Sequence, residues 1–189
     1  MYKEQTIYFP EKGEANTDET FKAVKERADK LGIRNIVIAT TGGGTGLKAA
    51  EFFKGYNVII VTHVTGMRGP GIQEVSSEAA KKITAAGGKI VTAAHAFSGV
   101  NAAIQTKFNT VYPAAIIAQT LRMFGQGMKV CIEIAAMAAD AGMITPDKDA
   151  IVIGGTGRGS DTAVVLKPAN SHNLFDTLVK EIIAKPSNP

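Results

Sequence analysis

The stretch at residues 35–47, NIVIATTGGGTGL, limits what this chain can fold into more than any other. Residues 35–40 are apolar, β-branched and bounded by a turn signal, which predicts a strand buried on both faces. Thr40, Thr41, Gly42, Gly43, Gly44, Thr45 and Gly46 follow. Leu47, Ala49, Ala50, Phe52 and Phe53 then predict a helix. Strand, glycine-rich turn and helix together aim unpaired N–H groups and the positive end of a helix dipole at one point, where an anion is favoured. Glycines let the backbone approach closely, and threonine hydroxyls add donors. The loop is therefore expected to hold the phosphate of a small ligand, although an ordinary glycine-rich turn has the same composition. Neither G-x-x-x-x-G-K-[ST] nor an acidic residue placed for a ribose hydroxyl accompanies it.

The rest of the chain supplies the sheet that such a loop needs. Residues 57–62 (NVIIVT), 89–93 and 150–154 (AIVIG) are further candidate buried strands, and 162–167 (TAVVLK) can return antiparallel. Thr6 to Phe9 is a short candidate first strand. Between strands, Phe21, Val24, Ala28 and Leu31 recur at helical spacing. Asn16 and Glu19 have the spacing of a capping box at the start of that helix, and Gly32 suits its end. Ser76 or Ser77 is placed to cap a helix running to Ala86. Residues 96–144 carry no strand signal and hold two good helices, at 113–124 and 128–141. The reading is one α/β domain over 1–189 with a helical excursion at 96–144, where an oligomer contact or lid could sit. Residues 174–184 form an apolar segment, and 186–189 read as a frayed tail.

Composition narrows the function. Of 189 residues, 45% are hydrophobic and 20% charged, which is globular, and the net charge of +4 comes from basic residues mixed with acids. Without a basic stripe interleaved with aromatics, nucleic-acid binding is not expected. The single cysteine, Cys131, permits no internal disulfide and reads as a buried, inert thiol. No run of apolar residues is long enough to span a membrane and no signal sequence opens the chain, so a cytoplasmic location is expected.

In open α/β sheets, ligands bind beyond the carboxyl ends of the strands. A second glycine-rich loop, Gly155-Thr156-Gly157-Arg158-Gly159-Ser160-Asp161, follows a candidate strand there. Arg158 could clamp a phosphate with two parallel hydrogen bonds, and Ser160, Asp161 and Thr162 could bind ligand hydroxyls or only cap the turn. His63 and His95 fall at the same rim and could orient a ligand or move a proton. With His172 the only other histidine, their spacing does not suit a metal. Lys129, Glu133 and Asp140 repeat at helical spacing and read as a solvent-facing stripe. Met123, Met128, Met137 and Met143 read as core or interface filler.

Three pieces, in order, carry a family resemblance: NTDETFKAVKERADKLGIRNIVIATTGGGTGLKAAEFF, NVIIVTH and KDAIVIGGTGRGSDTAVVLK. The chain resembles the C-terminal α/β domain of pyruvate kinase, in the branch that occurs as a stand-alone protein. The resemblance implies a three-layer α/β/α fold on a mostly parallel mixed sheet, with central order 3-2-1-4-5 and the last core strand antiparallel. It also implies a phosphate site at Thr40, Thr41, Gly42, Gly43, Gly44 and Thr45. Gly42 and Gly44 stand where that family often has serine and arginine, which argues against a sugar bisphosphate but leaves phosphate. Kinase catalysis needs a separate barrel domain, for which this chain is too short. Thr40-x-x-Gly43-x-Thr45 is also similar to the flavodoxin phosphate loop, which implies flavin mononucleotide (FMN) as a candidate cofactor. With no Trp in the chain, Tyr8, Tyr56, Tyr112 or a phenylalanine would then meet the flavin. The expected partner is a phosphorylated small molecule, gripped by the first loop, His63, and the second loop through Gly155, Thr156, Gly157, Arg158, Gly159 and Ser160. A homo-oligomer fits the apolar excursion.

Overall fold

The computed structural model describes every residue except Tyr2 and Pro189. In chain order it runs β1 (Ile7–Phe9), a 3-10 turn (Glu14–Asn16), α1 (Thr17–Leu31), β2 (Asn35–Thr40), α2 (Gly44–Phe52), β3 (Asn57–Thr62), α3 (Ser77–Ala85) and β4 (Lys89–Val91). It continues through α4 (Val100–Phe108), α5 (Pro113–Arg122), α6 (Gln126–Asp140), β5 (Ala150–Gly154), β6 (Thr162–Lys167), a second 3-10 turn (Ser171–Asp176) and β7 (Leu178–Pro186).

The strands form one seven-stranded sheet in the order β1-β7-β6-β5-β2-β3-β4. Its centre, β4-β3-β2-β5-β6, is the expected 3-2-1-4-5 arrangement. β2, β3, β4 and β5 are parallel to one another, and β6 is antiparallel to β5. The apolar segment near the C-terminus adds β7, antiparallel to β6, and β1 pairs with β7 in parallel. The tail is tied down as far as Ser187, whose N–H donates to the Phe9 carbonyl. The fraying expected at Pro189 lies outside the described residues.

Side-chain alternation along the strands builds two cores, one on each face. Ile36, Ile38, Val58, Ile60, Ile151 and Ile153 pack under α1, α2 and α3 with Phe21, Val24, Phe53 and Ile83. Val37, Ile59, Val61, Val152, Val164 and Leu166 pack under α6 with Cys131, Ile134, Ala135 and Ala138. Each such side chain contributes roughly 1.5–3 kcal/mol of transfer free energy. Because both faces are covered, the central strands are apolar throughout rather than alternating with polar residues.

Two local expectations fail. Asn16 does not cap α1: the 3-10 turn already holds it in a helical conformation, and its side-chain amide donates back to the Glu11 carbonyl. Thr17 closes that end instead, donating to Glu14 O and accepting from Ser160 N–H. The stripe on α6 is not solvent-facing either. Lys129 and Glu133 are buried, and only Asp140 is exposed. Phe97, after β4, donates its N–H to Glu133, and α5 packs against the same helix, so this stripe is covered. Ser76 does cap α3, accepting from Ala79 N–H at 3.1 Å.

Candidate functional site at the sheet rim

The carboxyl ends of β5, β2, β3 and β4 lie side by side, so the chain segments that leave them share one rim. From one side to the other these are the 155–161 loop, the 40–46 loop, the segment opening with His63, and the segment carrying His95. β2 pairs with β3 as far as Thr40 opposite Thr62, and with β5 as far as Ile38 opposite Ile153. Adjacent strands are about 4.8 Å apart, so Thr41 and His63 leave the sheet as neighbours.

The first loop is held from within. The Thr40 hydroxyl, buried beneath it, accepts from the N–H groups of Gly43 and Gly46, both at 3.2 Å. Gly43 has φ +94, and a Cβ there would lie 3.1 Å from Ala79 Cβ. A Cβ on Gly46 would come within 2.7 Å of Ile60. These two glycines are therefore required by conformation and by close helix–sheet packing. Thr40 and Gly43 frame the loop, and the groups left open belong to other residues. The N–H groups of Gly42, Gly44 and Thr45 donate to no acceptor among the described residues. The hydroxyls of Thr41 and Thr45 are likewise unpaired among them. These unpaired donors lie at the start of α2, where the dipole favours an anion.

The second loop divides in the same way. Asp161 is fully buried, and its carboxylate accepts from Gly13 N–H at 2.9 Å, Thr156 N–H at 3.1 Å and the Thr162 hydroxyl at 2.8 Å. Ser160 is buried as well, its N–H committed to Thr17 and its carbonyl to Thr20. Neither residue is placed to bind ligand hydroxyls, because each ties the loop to the start of α1. Gly159 packs so tightly on Glu14 that a Cβ would meet its Cα at 2.4 Å, and a Cβ on Gly155 would meet the Gly159 carbonyl at 2.4 Å. Gly157 and Arg158 alone form the exposed tip, and the Arg158 guanidinium has no partner among the described residues. Thr156 Oγ1 is buried with no hydrogen-bond partner there.

On the other side of the first loop lies a chain of polar side chains that the spacing did not reveal. His63 Nδ1 is 2.7 Å from Glu74 Oε2, and Arg68 Nε donates to Glu74 Oε1 at 3.2 Å. The hydrogen bond from His63, followed by that from Arg68, holds the Glu74 carboxyl below its ordinary range, against burial. His95 lies 5.5 Å from His63, ring centre to ring centre. Its Nε2 accepts from Val64 N–H at 3.2 Å, and its Nδ1 faces Glu133 Oε2 at 4.0 Å. Glu133 also accepts from Phe97 N–H and is paired to Lys129. Burial pushes the His95 imidazole below its ordinary value of 6.5, and His63 and Lys129 act in the same direction against the attraction of Glu133. Glu74 carries no sequence signal, since a glycine-rich loop separates it from His63. Glu133 was visible only as one member of a helical repeat.

Cys131 is fully buried under β5, and burial, with Asp161 nearby, raises its thiol far above the ordinary range. It takes no part in the rim. Tyr56 sits at the opposite end of β3, bonded to Asp29, and Tyr8 lies on the edge strand β1. Neither faces the first loop. A cleft of about 400 Å³ begins at His95 and runs along α6 to Asp140 and Ser171. Among the described residues no cluster of His, Cys, Asp and Glu is arranged to hold a metal, and no helix is long and apolar enough to cross a membrane.

A doubly covered, mostly parallel sheet with glycine loops and helix N-termini gathered at one rim defines an α/β domain of the open-sheet class. The match of residues 18–166 to the family model for the pyruvate kinase alpha/beta domain makes this specific. The chain belongs to that family.

Proposed function

We propose that the rim binds a phosphorylated small molecule, a phosphometabolite or a mononucleotide, and that this domain does so without pyruvate kinase activity. One observation carries the reading: the donors of Gly42, Gly44, Thr41 and Thr45 are left unpaired at the N-terminus of α2 while Thr40 holds the loop from beneath. Preorganised donors of this kind suit a phosphate, and the exposed tip at Gly157 and Arg158 is free to close on it from the neighbouring strand. His63 flanks the site on the other side.

Thr41→Val and Thr45→Val remove hydroxyls and leave the backbone unchanged. Each is expected to weaken phosphoester binding roughly tenfold, as for loss of a charge-assisted hydrogen bond, and Arg158→Ala is expected to weaken it further. Isothermal titration with FMN and with a sugar phosphate tests this. Unchanged affinity in the combined variant would remove the site. FMN itself remains the second reading, supported by the loop's likeness to a flavin phosphate loop. With Tyr56 at the opposite end of β3 and Tyr8 on the far edge strand, its ring would rest on Tyr112, on a phenylalanine, or on no aromatic at all. The visible spectrum of freshly purified protein, and the mass of any small molecule released from it, separate the two readings.

A further inference from the structure

The imidazole of His63 is fixed on one edge and open on the other. Glu74, ionised and itself neutralised in part by Arg68, accepts at Nδ1. In the neutral ring the proton must then sit on Nδ1, an assignment made from the hydrogen-bond network. Nε2 carries a bare lone pair and has no partner among the described residues. A lone pair cannot donate to a phosphate oxygen and repels it. The ring becomes a donor at its open edge only by gaining a proton at Nε2. Two independent links join the segment that carries it to the 40–46 loop. His63 leaves β3 beside Thr41, and Val75, next to Glu74, lies 3.4 Å from the position of a Cβ on Gly43.

We propose that His63 is the proton-accepting, specificity-determining residue of the rim, selecting a dianionic phosphomonoester over a monoanionic phosphodiester by taking up a proton as the ligand binds. The inference rests on the anion site proposed above. The step balances simply: neutral His63, one proton from the buffer and the dianion give an imidazolium–dianion pair, with Glu74 still bonded to Nδ1–H. Glu74 is the positioning residue. The other groups around the ring are consistent with this role. Arg68 is engaged with Glu74, and His95 uses its Nε2 on Val64. Lys129 is committed to Glu133 and contributes no free cation. His63 is thus the titratable group on this side of the loop with an open ring nitrogen. A diester phosphate, as in a dinucleotide, carries one charge fewer and gains less from the imidazolium.

The three histidines permit a direct test. In isotopically labelled protein, the ring signals are followed against pH with and without saturating methyl phosphate, alongside the amides of Gly42, Gly44 and Thr45. The titration midpoint of His63 is expected to rise by about one pH unit or more, equivalent to a roughly tenfold preference of the ligand for the protonated ring. His95 should move less, and His172, exposed on the second 3-10 turn, not at all. At pH 7, dimethyl phosphate is expected to bind more weakly than methyl phosphate in wild type, and His63→Gln is expected to narrow that difference about tenfold. Responding loop amides with an unmoved His63 would overturn this inference and leave the anion site standing. Silence from both would overturn the anion site and the inference together. If His63→Gln does not fold, the wild-type ring titration decides alone.

Discussion

At the scale of single residues, the buried pair on α6 has the sharpest consequences. Glu133→Gln keeps an acceptor for Phe97 N–H but leaves the Lys129 ammonium buried without a counter-charge. A loss of about 3 kcal/mol is expected, as for other broken buried pairs, and Lys129→Met added to it should recover most of that loss. Urea unfolding of both variants measures this, and a neutral Glu133→Gln would mean that water reaches Lys129. His95 adds a pH dependence whose sign follows from its depressed value. Below 6.5 the unfolded chain takes up a proton that the folded protein refuses, so stability falls as pH drops from that value through the lower folded one. His95→Asn should flatten that limb. Glu74 acts in a separate, more acidic window: its depressed carboxyl contributes stability above 4.5 that is lost as pH falls through its folded value. Urea midpoints measured from pH 7 down through the acid range below 4.5 resolve the two limbs, and a single acid limb confined below that value would contradict the part assigned to His95.

At the scale of elements, glycines that look alike in the sequence separate into packed and open ones. Gly44 has open space where a Cβ would go and an ordinary backbone conformation, so Gly44→Ala should leave the melting temperature unchanged or raise it slightly. Gly46→Ala drives a methyl into Ile60, and Gly127→Ala drives one to 2.1 Å from the Thr162 hydroxyl, so both should lower it by several degrees. Calorimetry on the three variants checks the order, and an unaffected Gly46→Ala would mean that α2 can lift from the sheet. Position 43 is a poor probe of binding alone, because its left-handed backbone and its contact with Ala79 make any β-branched residue there a folding defect too. The glycine run and its strand were legible because a buried strand ending in a turn signal is a local pattern. Which of the glycines are packed and which stand open was not legible, since that depends on Ile60, Thr162 and Ala79, distant in sequence. The same limit explains Asp161. Its character as a loop residue could be read, but the Gly13 and Thr156 amides that occupy its carboxylate could not. A helical repeat fixes which side chains share a face, and Glu133 shows that it does not fix what covers that face.

For the whole molecule, the excursion between β4 and β5 is the part that the sheet does not account for. α5 and α6 pack on the sheet or on each other, but α4 buries none of its nine side chains. Val100 and Phe108 are 79% and 69% exposed. A helix this short is marginal in water without a packing partner, because its nucleation cost is spread over too few hydrogen bonds. In the dilute protein, α4 amides are therefore expected to exchange with solvent orders of magnitude faster than those of α6, which opens only with the core. Hydrogen exchange read by mass spectrometry at two protein concentrations checks this. Fast exchange at both concentrations would describe an arm that is helical only part of the time. Protection that grows with concentration would mean that a second copy covers Val100, Ile104 and Phe108, giving the homo-oligomer a structural basis outside the rim. Equal protection of α4 and α6 at the lowest concentration would contradict the reasoning, since the packing described for α4 has nothing to supply it.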